Sequence, residues 1–268
     1  MDHLDLPARV ASPPINESGV VVAGGTSGVG LATGIQFGLA GAPRVVLMGR
    51  NEDRGRAAVE SAQAKSPVTE FTFIRADAND PGSATAAAAA AKDVLGRIDV
   101  LCNSTVAPYQ PTLFHQTTTE DIPRMFLEQA VGPLVMTSAV VPYLRDQGSG
   151  SVICIASDAA KVPTPGETII GASMSAIVTF TRTLALEAKR YGIRVNSITP
   201  SLIAETGSFD RAMNQEFSKK IFTKITSQAH LGMTGPDDLA HLAVFLSSPE
   251  ASLITGQVIS VNGGISVA

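Results

Sequence analysis

Short apolar runs, mostly β-branched, alternate along this chain with longer stretches of helical period. The runs are GVVVAG (19–24), RVVLMG (44–49), EFTFIRA (70–76), DVLCN (99–103), SVICIAS (151–157), IRVNSIT (193–199) and QVISVN (257–262). Each is of strand length and rich in residues that favour a pleated, buried surface, so seven strands are expected. Their apolar character is continuous rather than alternating, the mark of strands covered on both faces, and hence of a parallel sheet between helical layers. The stretches 30–40, 52–64, 83–95, 119–144, 168–190 and 236–246 supply those helices. The expected fold is α/β, a doubly wound Rossmann-type parallel sheet of about seven strands with helices on both faces, in a single domain.

Residues 1–17, with Pro7, Pro13 and Pro14, carry no period and read as an N-terminal tail ahead of a domain spanning 18–268. The alanine-rich tract 83–95 reads as a sheet-covering helix rather than as low complexity. Alanine is the best helix former, and Asp80-Pro81 supplies a cap and a first turn. The segment 202–235 is the least periodic part of the domain. Its place between the sixth strand and the last helix suits a mobile substrate lid.

Composition narrows the class. With 44% hydrophobic residues, 16% charged and no tryptophan, the 268-residue chain has material for a large aliphatic core. A formal charge of −4 and the absence of any Lys/Arg run argue against a nucleic-acid partner. Asp2, His3 and Asp5 stand where a secretory signal needs a positive region, and no apolar run of about 18 residues is expected to span a membrane. A cytoplasmic protein without a membrane partner is the expectation. Cys102 and Cys154, each inside an apolar run, read as buried free thiols, and two cysteines make no metal site.

The segment AGGTSGVG (23–30) follows an apolar strand and opens a helix. In that setting Gly24 permits the tight turn, Gly28 lets the backbone approach a pyrophosphate, and Gly30 lets the helix pack close, with the helix N-terminus favouring the anion. A dinucleotide is the implied cofactor. The second strand ends Gly49-Arg50-Asn51, with no acidic residue until Glu52. A carboxylate there would bind a ribose 2′-hydroxyl, whereas an arginine meets a 2′-phosphate, so NADP(H) is favoured over NAD(H) with Arg50 as the phosphate partner.

On these motifs the sequence resembles the short-chain dehydrogenase/reductase family in its single-domain form, over about residues 18–265. The glycine loop matches with Ala23 in place of the usual Thr, and the ending ITGQVISVNGG resembles the family's last strand with Asn262 for the usual Asp. The resemblance implies cofactor contacts from Gly24, Thr26, Ser27, Gly28, Val29 and Gly30, then from Arg50 and Asn51, from Asp77 and Ala78 beside the adenine, and from Asn103, Ser104, Pro200 and Ile203. Departures cluster at the nicotinamide end. The family's Asn-Asn-Ala-Gly reads Asn103-Ser104-Thr105-Val106, its Pro-Gly step reads Pro200-Ser201, and Glu205 stands at the position of its amide-holding Thr, with Thr206 one residue later.

The family's catalytic group is an Asn, a Ser and a Tyr-x-x-x-Lys pair. The resemblance matches Ser157 to the serine that orients the substrate carbonyl, and puts Gln129 at the asparagine, Ile170 at the tyrosine and Met174 at the lysine. In the family the tyrosine hydroxyl gives a proton to the carbonyl oxygen as hydride arrives, while the lysine one turn on lowers that hydroxyl's pKa from about 10 and holds the nicotinamide ribose. Isoleucine has no proton to give, and methionine neither donates nor carries charge. Loss of a general acid alone removes roughly 10²–10⁴ in rate, so ordinary carbonyl reduction is expected to be very weak. Candidate substitutes are Glu167, three residues before Ile170, then Asp158 and Glu205, with Tyr109 and His115 in the loop after the fourth strand.

The expected function is an atypical oxidoreductase acting on a small apolar carbonyl or enone through a non-standard acid. Two alternatives stand beside it: a catalytically silent relative serving as ligand sensor or partner subunit, and a non-redox enzyme such as a cyclase, hydratase or aldolase reusing the pocket. Family analogy implies a homodimer or homotetramer built on the helices of 119–144 and 168–190, or a hetero-oligomer with an active homologue.

Overall fold

The computed structural model describes residues 12–268, so the expected tail lies outside the described residues up to residue 11. Nearer the domain, Ile15–Glu17 forms one 3₁₀ turn whose Ile15 is buried in the core. Seven strands follow: β1 (Gly19–Ala23), β2 (Arg44–Gly49), β3 (Glu70–Arg75), β4 (Val100–Asn103), β5 (Gly150–Ile155), β6 (Ile193–Pro200) and β7 (Val258–Val261). They form one sheet in the order β3-β2-β1-β4-β5-β6-β7, parallel at every pairing. The doubly wound Rossmann-type fold expected from the apolar runs is the one observed.

Helices α1 (Gly28–Leu39), α2 (Glu52–Lys65) and α3 (Pro81–Leu95) connect the first four strands. After β4 come α4 (Asp121–Phe126) and α5 (Gly132–Gln147), joined without a break by a π-helical turn, Leu127–Val131. Next are α6 (Thr168–Ala188), α7 (Gly207–Asn214), α8 (Glu216–Thr226) and α9 (Pro236–Ser247). Alternation along β1 shows how the two layers form: Val21 and Ala23 point into the core beneath α3, α5 and α6, while Val20 and Val22 point into the core shared with α1 and α9. Those three valines are wholly buried. Burial contributes at most about 1.5–3 kcal/mol each relative to exposure.

Local sequence explains the element limits. In α3 the Asp80 carboxylate accepts the Ser83 N–H at 2.6 Å, Pro81 occupies the first turn, and Ala84, Ala87, Ala88 and Ala91 form the buried face. In α2 the Asn51 side chain caps the helix by accepting the Arg54 N–H at 2.9 Å. Helical stretches 121–147 and 168–191 are long and apolar enough to span a membrane by length and composition, which corrects the expectation that no stretch reaches that length. Both lie over the sheet, and Met136, Val140, Leu144 and Ile177 place their apolar faces in the core. Cys102 and Cys154 are free and buried on opposite faces of the sheet, and burial pushes both thiols up, to about 12 and about 11.

The segment 202–235 departs from its reading as the least periodic part. It holds the amphipathic helices α7 and α8, which share a small core of Leu202, Ala212 and Phe222 flanked by Phe209, Met213 and Ile225. Polar residues inside each period hid these short helices, and their apolar stripe becomes visible only once the two pack on each other.

Candidate active site at the carboxyl ends of the strands

Strand order reverses between β1 and β4, since β2 and β3 lie on one side and β5 to β7 on the other. A crevice at the carboxyl ends of the strands is expected at such a switch point. A cavity of about 1140 Å³ opens there, bounded by the glycine loop, the loop after β4, the turn after β5, the first turns of α6, the helices α7 and α8, and the C-terminal segment.

The glycine loop is fixed by close approaches. Gly24 has φ +80°, and a Cβ there would lie 2.5 Å from the Ser104 carbonyl oxygen, so only glycine lets the loop meet the chain leaving β4. A Cβ on Gly30 would lie 2.2 Å from the Gly24 carbonyl oxygen, which makes this glycine the condition for α1 to sit against the loop. Ser27 occupies the N-cap of α1, yet its side chain makes no capping hydrogen bond. Its hydroxyl instead accepts from the Arg54 guanidinium at 3.0 Å. The first-turn N–H groups of α1 thus lack a side-chain partner and face the cavity beside Gly24, Ser27, Gly28 and Val29.

Of the other expected cofactor contacts, Arg50, Ser104, Pro200 and Ile203 line the cavity, and Thr26, Asn51, Asp77, Ala78 and Asn103 do not. Thr26 packs where a Cβ on Gly49 would fall, Asn51 is spent capping α2, and Asp77 accepts the Asn79 N–H at 3.0 Å. Asn103 is fully buried and donates to Thr137 Oγ1 at 3.0 Å, leaving its Oδ1 without a partner.

The expected catalytic positions share one cavity. Ser157, Gln129, Ile170, Met174 and Glu167 all line the cavity. Ser157 Oγ accepts the Ala159 N–H at 3.2 Å, which leaves its own hydrogen available to a ligand. Ile170 and Met174, one turn apart on α6, are buried and apolar. Gln129 sits in the π-helical turn between α4 and α5, buried with its Oε1 unpartnered. A Cβ on Gly171 would lie 2.7 Å from the Ala159 carbonyl oxygen, so α6 begins directly against the turn that carries Ser157.

Four candidate substitutes separate on geometry. Glu205 is exposed, in the left-handed region at φ +58°, and off the cavity wall; the Thr206 beside it lines the cavity instead, and its hydroxyl caps α7 by accepting the Phe209 N–H at 3.1 Å. His115 lies exposed in a 3₁₀ turn away from the cavity. Tyr109 lines it, but its hydroxyl donates to Glu128 at 2.7 Å, and burial and that carboxylate raise its pKa. Asp158 is buried and saturated, accepting from Ser260 at 2.9 Å, Ser266 at 3.1 Å and Asn262, with Lys161 Nζ at 3.7 Å. It fastens the C-terminal segment rather than facing a ligand as a free acid.

Glu167 differs from all of these. It is half-buried on the cavity wall, and among the described residues no cation pairs with it. Burial pushes its carboxyl up to about 7, an effect only partly offset by the Thr164 hydroxyl. Its backbone is held by hydrogen bonds from its own N–H to the Thr164 oxygen at 3.0 Å and from the Gly171 N–H to its oxygen at 2.6 Å.

Residues 23–266 match the family model described as enoyl-(acyl carrier protein) reductase. The chain is 32% identical over 248 residues to 2,5-dichloro-2,5-cyclohexadiene-1,4-diol dehydrogenase LinX of Sphingobium indicum, covering 92% of this chain and 95% of that one. It is 31% identical over 253 residues to dehydrogenase/reductase SDR family member 4 of Homo sapiens, covering 94% and 88%. The chain belongs to the short-chain dehydrogenase/reductase family. A solved 7α-hydroxysteroid dehydrogenase complexed with NADH and 7-oxo glycochenodeoxycholic acid superposes on it with a TM-score of 0.83 at 26% identity, covering 93% and 96%.

This short-chain dehydrogenase/reductase fold is one that binds an NAD(P)(H) dinucleotide. The residues present fit such a ligand: the uncapped first turn of α1 offers N–H donors to a pyrophosphate, and at Gly28 a Cβ would meet nothing nearer than the Thr206 methyl at 3.7 Å, which leaves the backbone open to it. Arg54 and Thr206 line the same cavity and were not among the sequence candidates. Their signals are weak in one dimension, because Arg54 reaches Ser27 from 27 positions away and Thr206 comes beside Gly28 only in the fold.

Proposed function

We propose that this chain is an NADP(H)-dependent oxidoreductase that reduces a small apolar ketone or conjugated alkene, with Glu167 giving the proton that the family's tyrosine normally gives. The observation that carries this reading is the placement of Glu167. It is a carboxyl with no cation partner among the described residues, raised to about 7, lining the same cavity as Ser157 and the glycine loop. When bound, the dinucleotide supplies the hydride. Ser157 Oγ, already accepting from the Ala159 N–H, donates to the substrate oxygen and orients it. Protonated Glu167 gives its Oε proton to that oxygen, or to the carbon that receives charge in an enone. Ile170 and Met174, in the tyrosine and lysine positions on this reading, exclude water and move no proton.

Preference for NADP(H) rests on Arg50 and Arg54, which line the cavity beside Ser27 with no carboxylate partner among the described residues. The test is NADPH consumption across a panel of ketones and enones, with Glu167→Gln alongside. Cofactor binding without hydride transfer from any member of the panel would overturn the catalytic reading.

That outcome defines a second reading, a dinucleotide-binding relative without turnover, favoured by the buried apolar pair Ile170 and Met174. Restoring Ile170→Tyr with Met174→Lys tests the scaffold itself, since a gain of ketone reduction would mean that the pocket still places the nicotinamide for hydride transfer. We place the protein in the cytoplasm and treat 202–235 as its lid. A two-fold assembly through the 119–144 and 168–190 helices is supported by the exposure of Phe126, Leu127 and Leu186 and is read by light scattering.

A further inference from the structure

Charge around the cavity is lopsided in a chain whose formal charge is −4. Five cationic side chains line it, Arg50, Arg54, Arg211, Lys220 and Lys224, against the two carboxyls Asp158 and Glu167. Asp158 is already saturated by its own partners, and Glu167 is held partly protonated. Arg50 and Arg54 stand at the glycine-loop end. Arg211 belongs to α7, whose N-cap Thr206 would lie 3.7 Å from a Cβ on Gly28. The Arg211 guanidinium donates to Ser208 within its own helix at 2.9 Å, while Lys220 and Lys224 pair with no carboxylate among the described residues.

Helix α8 is seated elsewhere. A Cβ on Gly166 would lie 2.8 Å from the Phe217 ring and 3.1 Å from Pro111, and beyond the helix the Leu231 N–H donates to the Gly263 oxygen at 3.0 Å. The helix therefore crosses the cavity between the loop after β4 and the C-terminal segment, beside the first turn of α6. From α8 the cavity is lined by Phe217, Lys220, Ile221, Phe222, Lys224 and Ile225, all but Phe222 spaced as one face of a helix. Three apolar side chains and two lysines thus share a stripe, and among the described residues neither lysine pairs with a carboxylate. The volume of about 1140 Å³ lies just above the roughly 300–1,000 Å³ usual for a drug-sized ligand.

We propose that the α8 face is a subsite for an amphipathic anion, with an apolar body on Phe217, Ile221 and Ile225 and an acidic group, carboxylate or phosphate ester, at Lys220 and Lys224. This rests on the reading that the other end of the cavity takes a dinucleotide, and it makes the substrate an apolar carbonyl compound carrying an acid. The test is calorimetric titration of the full chain with decanoate, decyl phosphate and decanol, with NADPH affinity measured separately on the same preparation. At low salt at least one of the two anions is expected to bind roughly tenfold tighter than decanol, since two exposed ion pairs together supply about that much. The tighter of the two identifies the acid. The preference shrinks in about 0.5 M salt. It disappears in Lys220→Gln/Lys224→Gln and survives in Lys220→Arg/Lys224→Arg. Equal binding of decanol and both anions, or an undiminished preference in the glutamine variant with an unchanged Tm, overturns the subsite. Failure of NADPH to bind while the anion preference holds would instead overturn the dinucleotide reading.

Discussion

Replacing Glu167 with glutamine is expected to stabilise the protein at alkaline pH and leave it unchanged in acid. The folded carboxyl titrates at about 7 where its ordinary value is 4.5, because burial penalises the charged form. Between those two values the native state holds a proton that the unfolded chain has released, so stability falls as pH rises from 4.5 through about 7. At about 1.4 kcal/mol per pH unit the interval corresponds to at most ~3 kcal/mol. Solvent at the half-buried carboxyl reduces the realised penalty to about 1–2 kcal/mol. Glutamine keeps the shape and never ionises. Urea unfolding of wild type and Glu167→Gln at acid and alkaline pH reads the difference directly. The variant should match wild type below about pH 4.5 and gain about 1–2 kcal/mol above about pH 8. Equal stability at both pH values, or a loss at alkaline pH, would refute the claim that burial destabilises this carboxylate.

Other perturbations follow from the same geometry. Gly30→Ala places a Cβ 2.2 Å from the Gly24 carbonyl oxygen and should cost about 1–3 kcal/mol, with weaker NADPH binding, read by thermal unfolding and titration. Arg54→Ala should weaken NADPH roughly tenfold while leaving NADH unchanged in a fluorescence titration, because only NADPH offers a 2′-phosphate. Asp158→Ala strips the counter-charge from Lys161, whose side chain is 11% exposed, and releases Ser260, Asn262 and Ser266; a loss of about 3 kcal/mol and faster C-terminal proteolysis are expected.

The sheet was legible in the sequence because strands buried on both faces keep their apolar runs continuous. Val20 to Val22 and Val45 to Leu47 cannot be read as anything exposed. The glycine loop was legible for a similar reason, since Gly24 and Gly30 answer to backbone contacts that no other residue satisfies. Helices α7 and α8 were not, because their apolar residues bury against each other rather than against the sheet. The roles of the carboxyls were hidden further. Asp158 and Glu167 look alike in one dimension. Partners 102 and 104 positions away, at Ser260 and Asn262, consume the first, whereas the second has only the nearby Thr164 hydroxyl. Arg54 escaped notice because its tie to Ser27 depends on how α2 is hung beside the loop.

The most direct measurement is the pH dependence of NADPH consumption by wild type and Glu167→Gln on the best ketone or enone found in the panel. With Glu167 as proton donor, the wild-type rate should be flat in acid and fall tenfold per pH unit above about 7, while the glutamine variant loses at least about 10²-fold and the pH break. A glutamine variant that keeps the wild-type rate, or that keeps its break near 7, would contradict the account.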